Sequence, residues 1–318
     1  MRFKLILGVF TVSTLVLVST PAIGDQFGVP NENARGYWNE SRLANAQPIE
    51  LVVDESTGIG KLRISAQAAK PSGKITSAST TRVSTTDWPQ NSPIAQTAVG
   101  KVFFTVGTSA YVCSGALVND GVSDRAIVLT AGHCAWSQGT PGDFVTNWAF
   151  YPDYDSGKNT AYYASALVVR NEFATQSVFN NTALANDWAF AVIKQGGLNP
   201  STLPDVNFQT IAKNSYDLNV SGFTTGYTSY AFGYPAAKPF DGLTLKYAGA
   251  TIFIDANTKS TWGMNSTMTG GASGGPWLSN GTKYNTDSTK MYGPIFNART
   301  STTFTTSLSA TTNTRDSN

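Results

Sequence analysis

Val99-Gly-Lys-Val-Phe-Phe-Thr-Val106 is followed by Ser114-Gly-Ala-Leu-Val118, Ala126-Ile-Val-Leu-Thr130 and, further on, Trp188-Ala-Phe-Ala-Val-Ile193. These runs are rich in β-branched and aromatic residues, and Gly, Asn, Asp and Pro turns separate them, which is the pattern of short strands. From about Thr97 onward no amphipathic helix pattern lasts three turns. The pattern therefore predicts an all-β chain, a barrel or a sandwich.

Outward from this region the composition changes on both sides. Residues 1–24 carry Arg2 and Lys4, an apolar run from Leu5 to Val18 and small residues at Ala22 and Gly24. That order is a secretory signal peptide, and the run is too short for a helix to cross a hydrocarbon core of roughly 30 Å. Residues 25–95 are polar and poor in aromatics, with stretches such as Ala66-Gln-Ala-Ala-Lys70 and Ser77-Ala-Ser-Thr-Thr81, and read as a propeptide or linker. The domain with the strand pattern then occupies 96–299, and the Ser/Thr-rich residues 300–318 read as an irregular tail. A secreted, extracellular protein, without membrane association once the leader is removed, is the expectation.

Composition excludes several function classes. A net charge of +2 without a basic run gives no electrostatic footprint for nucleic acid. Charged residues are 13%, about half the roughly 25% of ordinary soluble domains, so Ser, Thr, Asn, Gly and Tyr must cover the surface. One His and two Cys cannot supply the ligands of most zinc sites, and no metal or cofactor is expected. Asp153-Tyr-Asp155-Ser-Gly157 is too short for a helix-loop-helix calcium motif and reads as a solvated turn. Without a heptad or other assembly signal, the expected state is a monomer.

Three elements could carry chemistry. The single histidine lies in Leu129-Thr-Ala-Gly-His133-Cys134-Ala135, directly after an apolar strand. Asp187 lies in Ala185-Asn186-Asp187-Trp188, at the mouth of another. Thr269-Gly-Gly271-Ala272-Ser273-Gly274-Gly275-Pro276-Trp277 surrounds a serine with glycines, so that consecutive N–H groups can converge on one anionic point while the serine hydroxyl stays exposed. The hydrolase nucleophile elbow shares the Gly-x-Ser-x-Gly pattern, but it belongs to an α/β fold in which the histidine follows the serine. Here the order is His, Asp, Ser among β-strands.

These motifs resemble those of the chymotrypsin/trypsin-like serine peptidases: Thr-Ala-Gly-His-Cys in full, Asn-Asp-x-Ala at Asn186–Ala189, and Gly-Asp-Ser-Gly-Gly-Pro with Ala272 in place of the aspartate. Phe232-Gly-Tyr-Pro-Ala236 and Tyr292-Gly-Pro294 look like the microbial secreted branch that includes glutamyl-endopeptidase-like enzymes. The resemblance spans Val99 to Phe296. It implies two six-stranded antiparallel β-barrels with the active site between them, and a secreted endopeptidase acting on proteins or peptides. Ser273 would be the nucleophile, His133 the general base and then acid, and Asp187 the group that orients the imidazole. The backbone N–H groups of Gly271 and Ser273 would form the oxyanion hole. The resemblance further implies a disulfide between Cys113 and Cys134, worth roughly 3 kcal/mol in the chain-entropy model.

Departures from the family pattern accompany the match. Ala272 cannot form the ion pair with a new N-terminus that activates many relatives, so a propeptide would have to cover the cleft or assist folding. Thr267, six residues before the serine, would sit at the base of the specificity pocket and offers no carboxylate to a basic side chain, and no second histidine is present to read glutamate. A neutral or apolar preference remains. The stretch from Leu278 to Tyr292 is short for a further pocket-lining strand. Together with Ala272 it supports an alternative, a secreted binding or effector protein that keeps the fold with little turnover.

Overall fold

The computed structural model describes residues 25–28, 34–54, 56–64, 82–89, 97–119, 125–139, 141–157, 160–194, 215–218, 226, 228–254, 261–278, 290–298 and 303–306. The expected leader (1–24) and all of the expected tail except 303–306 lie outside the described residues.

In the first half of the chain the strands are β1 (Gln26–Gly28), β2 (Gln47–Val53), β3 (Gly60–Ile64), β4 (Thr86–Asp87), β5 (Val99–Val106), β6 (Ser109–Val118), β7 (Arg125–Thr130), β8 (Trp136–Ser137), β9 (Asp143–Phe144), β10 (Thr146–Pro152), β11 (Tyr162–Tyr163), β12 (Ala166–Val169) and β13 (Ala189–Lys194). The second half contributes β14 (Asp217–Leu218), β15 (Thr228–Gly233), β16 (Lys246–Thr251), β17 (Phe253–Ile254), β18 (Thr261–Met264), β19 (Pro276–Leu278), β20 (Lys290–Ala298) and β21 (Thr303–Thr306). Two large sheets result, one running β1-β12-β13-β7-β6-β5-β10-β11 with β2 and β3 attached, the other β17-β18-β21-β20-β19-β15-β16-β4 with β14 attached. The chain is thus mostly β, in curled and predominantly antiparallel sheets.

Among the described residues the two sheets carry ten and nine strands. In the first, β5, β6, β7, β10, β12 and β13 form the continuous body, and β1 to β3, drawn from residues before 65, add to it. Pairing is antiparallel except between β2 and β6 and between β14 and β20, both parallel. β5 is buried along its length except at Val106, which is why it reads as a near-continuous apolar run. Phe103, Phe104, Leu117, Trp148 and Phe150 fill the larger core, and Phe232, Tyr234 and Leu245 of the other half join it, so the halves share packed side chains. A smaller core of Ala231, Ala248, Ile252, Met264, Met268, Ala272 and Trp277 fills the second sheet.

Among the described residues one lysine is buried between the halves. Lys101 of β5 donates through Nζ to the Gly242 carbonyl (2.9 Å) and lies over the rings of Phe103 and Tyr154. Burial pushes its ammonium down to about 7, and Asp241 partly opposes the shift.

Two differences from the sequence reading concern boundaries. Residues 83–88, inside the expected 25–95 linker, belong to the second sheet: β4 pairs with β16, Val83 bridges to Ser266, and Trp88 is buried against Phe232 and Tyr247. Residues 303–306 form β21, paired with both β18 and β20. Trp88→Ala should therefore lower the unfolding free energy of the full chain by about 3–5 kcal/mol in denaturant titration, the cost of emptying a core aromatic site. A change within about 0.5 kcal/mol would mark Trp88 as a surface linker residue.

Candidate active site

The site grows from the ends of two neighbouring strands. β7 and β13 pair antiparallel, with Thr130 opposite Ala189, so the residues just after β7 and just before β13 emerge side by side. After β7 the chain makes a single 3₁₀ turn, Gly132–Cys134, which carries His133. Before β13 a short helix, Asn181–Ala185, is capped by the Asn180 side chain accepting from the Ala183 amide, and it delivers Asp187 to the strand mouth. Asp187 then holds His133 twice. Its Oδ1 accepts the His133 backbone N–H at 2.8 Å, and its Oδ2 lies 2.8 Å from ring Nδ1. A carboxylate oxygen can only accept, so this contact suits the tautomer with its proton on Nδ1, which leaves Nε2 as the acceptor.

The disulfide expected from the resemblance is present. Cys113 of β6 and Cys134 are joined, which ties the His133 turn to the neighbouring strand.

The glycine loop meets this pair from the other half. Gly271 has φ +97°, and a Cβ there would stand 2.7 Å from the Tyr234 carbonyl oxygen. Gly274 has φ +85°, and a Cβ there would overlap the Ser114 carbonyl and the Thr130 hydroxyl. Both positions therefore require glycine for backbone conformation and for space. This jamming seats Ser273 beside the histidine turn: the Ser114 amide donates to the Ser273 carbonyl (2.6 Å), and Cys134 Sγ lies 3.9 Å from the same oxygen.

Ser114 was not singled out by sequence reasoning, yet it organises the loop. Its hydroxyl donates to the Gly271 carbonyl and accepts from the Tyr234 amide, each at 2.9 Å, and its own carbonyl accepts from Thr130 Oγ1 at 2.8 Å. Its place between Cys113 and Gly115 on an apolar strand was the available signal, a polar residue with no exposed surface.

Thr267 is held by residues 83–85. Its hydroxyl accepts the Thr85 amide (2.8 Å) and its amide donates to Val83, so both groups are engaged by residues 83–85. Ala272 is fully buried in the second core. β19 pairs directly with β20, Pro276 opposite Pro294, so the short connection closes these two strands; residues 279–289 between them lie outside the described residues.

The site is sealed. His133, Asp187 and Ser273 are 1%, 0% and 3% exposed, so the serine is covered where the sequence predicted exposure. Among the described residues His133 Nε2 has no hydrogen-bond partner, so no hydrogen bond joins it to Ser273. Free enzymes often hold such bonds long and tighten them only around substrate.

Comparison with known proteins shows the family. The protease Anisep from Arthrobacter nicotinovorans is 32% identical, over 68% of this chain and 92% of its own, with a TM-score of 0.55. The chain belongs to the chymotrypsin-like family of microbial serine peptidases. A thermostable serine protease, AL20, from an extremophilic microorganism is 29% identical over 68% of this chain and 93% of its own, also with a TM-score of 0.55. The family model of the lysyl endopeptidase C-terminal domain matches residues 77–220, which include His133 and Asp187 and begin ahead of Trp88. A search of the curated proteins returns no match. Fold and family support a protease function with protein or peptide substrates. Among the described residues no helix is long and apolar enough to cross a membrane.

For this peptidase, Ser114→Ala should cost about 1–3 kcal/mol for each buried group left unpaired, the Gly271 carbonyl and the Tyr234 amide. Chemical unfolding of the purified chain measures it; an unchanged midpoint would show that the loop does not rest on this hydroxyl.

Proposed function

We propose that this chain is a secreted serine endopeptidase that cleaves proteins through an acyl-enzyme formed on Ser273. The observation that carries the proposal is the double hold of Asp187 on His133, which fixes one tautomer and leaves Nε2 free for a proton. As the Ser273 oxygen adds to a peptide carbonyl, its proton passes to Nε2, and the buried Asp187 stabilises the imidazolium. Collapse of the tetrahedral intermediate expels the amine, which takes the proton from Nε2. Water, deprotonated by the same nitrogen, then frees the acyl group. The oxyanion is assigned to the N–H groups of Gly271 and Ser273, a donor of this kind being worth about 3 kcal/mol. The secretory leader of residues 1–24 supports an extracellular site of action and the absence of an assembly signal supports a monomer.

Substrate preference follows from what the pocket lacks. Thr267 brings no carboxylate and its hydroxyl is already occupied by Thr85, which favours a neutral or apolar residue before the scissile bond. The burial of His133, Asp187 and Ser273 favours a second reading, a binding protein with little turnover. The two readings differ in the reactivity of Ser273.

Fluorophosphonate labelling of the processed protein, with the modified peptide mapped by mass spectrometry, tests the proposal. Label on Ser273, lost in Ser273→Ala and in His133→Ala, together with a fall of peptide turnover by about 10⁶ in either variant, is the expected result. A folded, processed protein that takes no label would move the reading to a binding role.

A further inference from the structure

We propose that strand β2, with its hairpin partner β3, is an inhibitory strap that occupies the oxyanion donor of the peptidase and holds the full chain inactive. The proposal rests on the serine peptidase reading and adds its regulation.

The central contact is one hydrogen bond. The Gly271 N–H, assigned above to a substrate oxyanion, donates to the Ile49 carbonyl of β2 at 3.2 Å. A carbonyl of the chain itself thus occupies one of the two N–H groups assigned to the oxyanion. Gly270 lies against the same segment, where a Cβ would stand 3.1 Å from Glu50 Cβ. On the opposite wall, the Gly60 amide of β3 donates to the Phe179 carbonyl at 2.7 Å, and the Phe179 ring stands edge-on to His133, with centroids 6.4 Å apart. The hairpin therefore touches the glycine loop on one side and Phe179, whose ring flanks the histidine, on the other.

The strap is built to stay in place. Ile49, Leu51 and Val53 are buried, and Glu50, itself nearly buried, faces Arg63 across the hairpin at 3.5 Å. β2 pairs in parallel with β6 at Gln47 and Pro48 and runs beside β20. Its turn is closed by Asp54, whose Oδ1 accepts from the Ser56 amide and hydroxyl and the Thr57 amide. Upstream, Trp38 donates through Nε1 to the Asn147 carbonyl and packs on Phe103, and β1 pairs with β12. The family match begins at 77, past the end of β3, so the strap is an addition to the matched domain, whereas Trp88 is part of it.

The test compares three preparations of residues 25–318 for the rate of fluorophosphonate labelling at Ser273. The first is intact. The second carries a recognition sequence for a site-specific protease between residues 70 and 75 and is cut there, after which the N-terminal fragment is removed. The third is intact with Leu51→Asp, which puts a charge on the buried face of the strap. Labelling scales with the fraction of molecules whose site is open, so the cut chain and Leu51→Asp should each label at least about tenfold faster than the intact chain. A synthetic peptide of residues 47–53 should slow the cut chain again. If Leu51→Asp does not fold, the cut chain, which alters no strap residue, carries the comparison. Equal labelling of intact and cut chains overturns the strap and leaves the peptidase reading standing. Absence of label on Ser273 in all preparations overturns both.

Discussion

Asp187 has no exposed surface, and a buried carboxylate is tolerated only when its charge is met by donors. Here the donors are the amide and ring nitrogen of one residue, His133. The constraint reaches through the fold. It requires the ends of β7 and β13 to be neighbours, which their register ensures, and it requires the 3₁₀ turn after β7 to bring amide and ring to the same carboxylate. The disulfide to Cys113 restrains that turn from the far side. The same pair of contacts thus links the two strand ends and, in the proposed mechanism, sets the tautomer of the ring.

The serine is positioned differently, by backbone fit. Gly271 and Gly274 adopt left-handed φ values in places where any Cβ would strike a carbonyl, a hydroxyl or an amide of the surrounding strands. Ser114 supplies the polar contacts for this close approach, bonding to Gly271 and Tyr234 at once. The loop is therefore stiff before a substrate arrives, which is the condition for electrostatic stabilisation without reorganisation. That stiffness also makes the Gly271 N–H a fixed donor that a strand of the same chain can occupy.

Much of this was legible in the residues. The runs at Val99, Ser114, Ala126 and Trp188 are strands, and the motifs around His133 and Asp187 lie where those strands end. What escaped reading had a common physical cause, since backbone pairing leaves little trace in composition. Residues 83–88 sit in a Ser/Thr-rich stretch whose polarity hides one decisive aromatic, Trp88. Thr303–Thr306 pair on both sides by main-chain bonds, and β-branched threonine suits such a strand although it offers little to a core. Ser114 was hidden within an apolar run, and the contact between Ile49 and Gly271 joins segments far apart in sequence through backbone atoms alone.

Because the chain contains one histidine, its imidazole can be observed without ambiguity. The measurement that tests the account most directly is nitrogen-15 NMR of histidine-labelled protein at a pH where the ring is neutral. The account predicts a proton on Nδ1, protected from exchange by its bond to Asp187 and lost from that position in Asp187→Asn, with Nε2 unprotonated. A neutral ring with its proton on Nε2, or an Nδ1 proton exchanging as freely as in an exposed histidine, would contradict it.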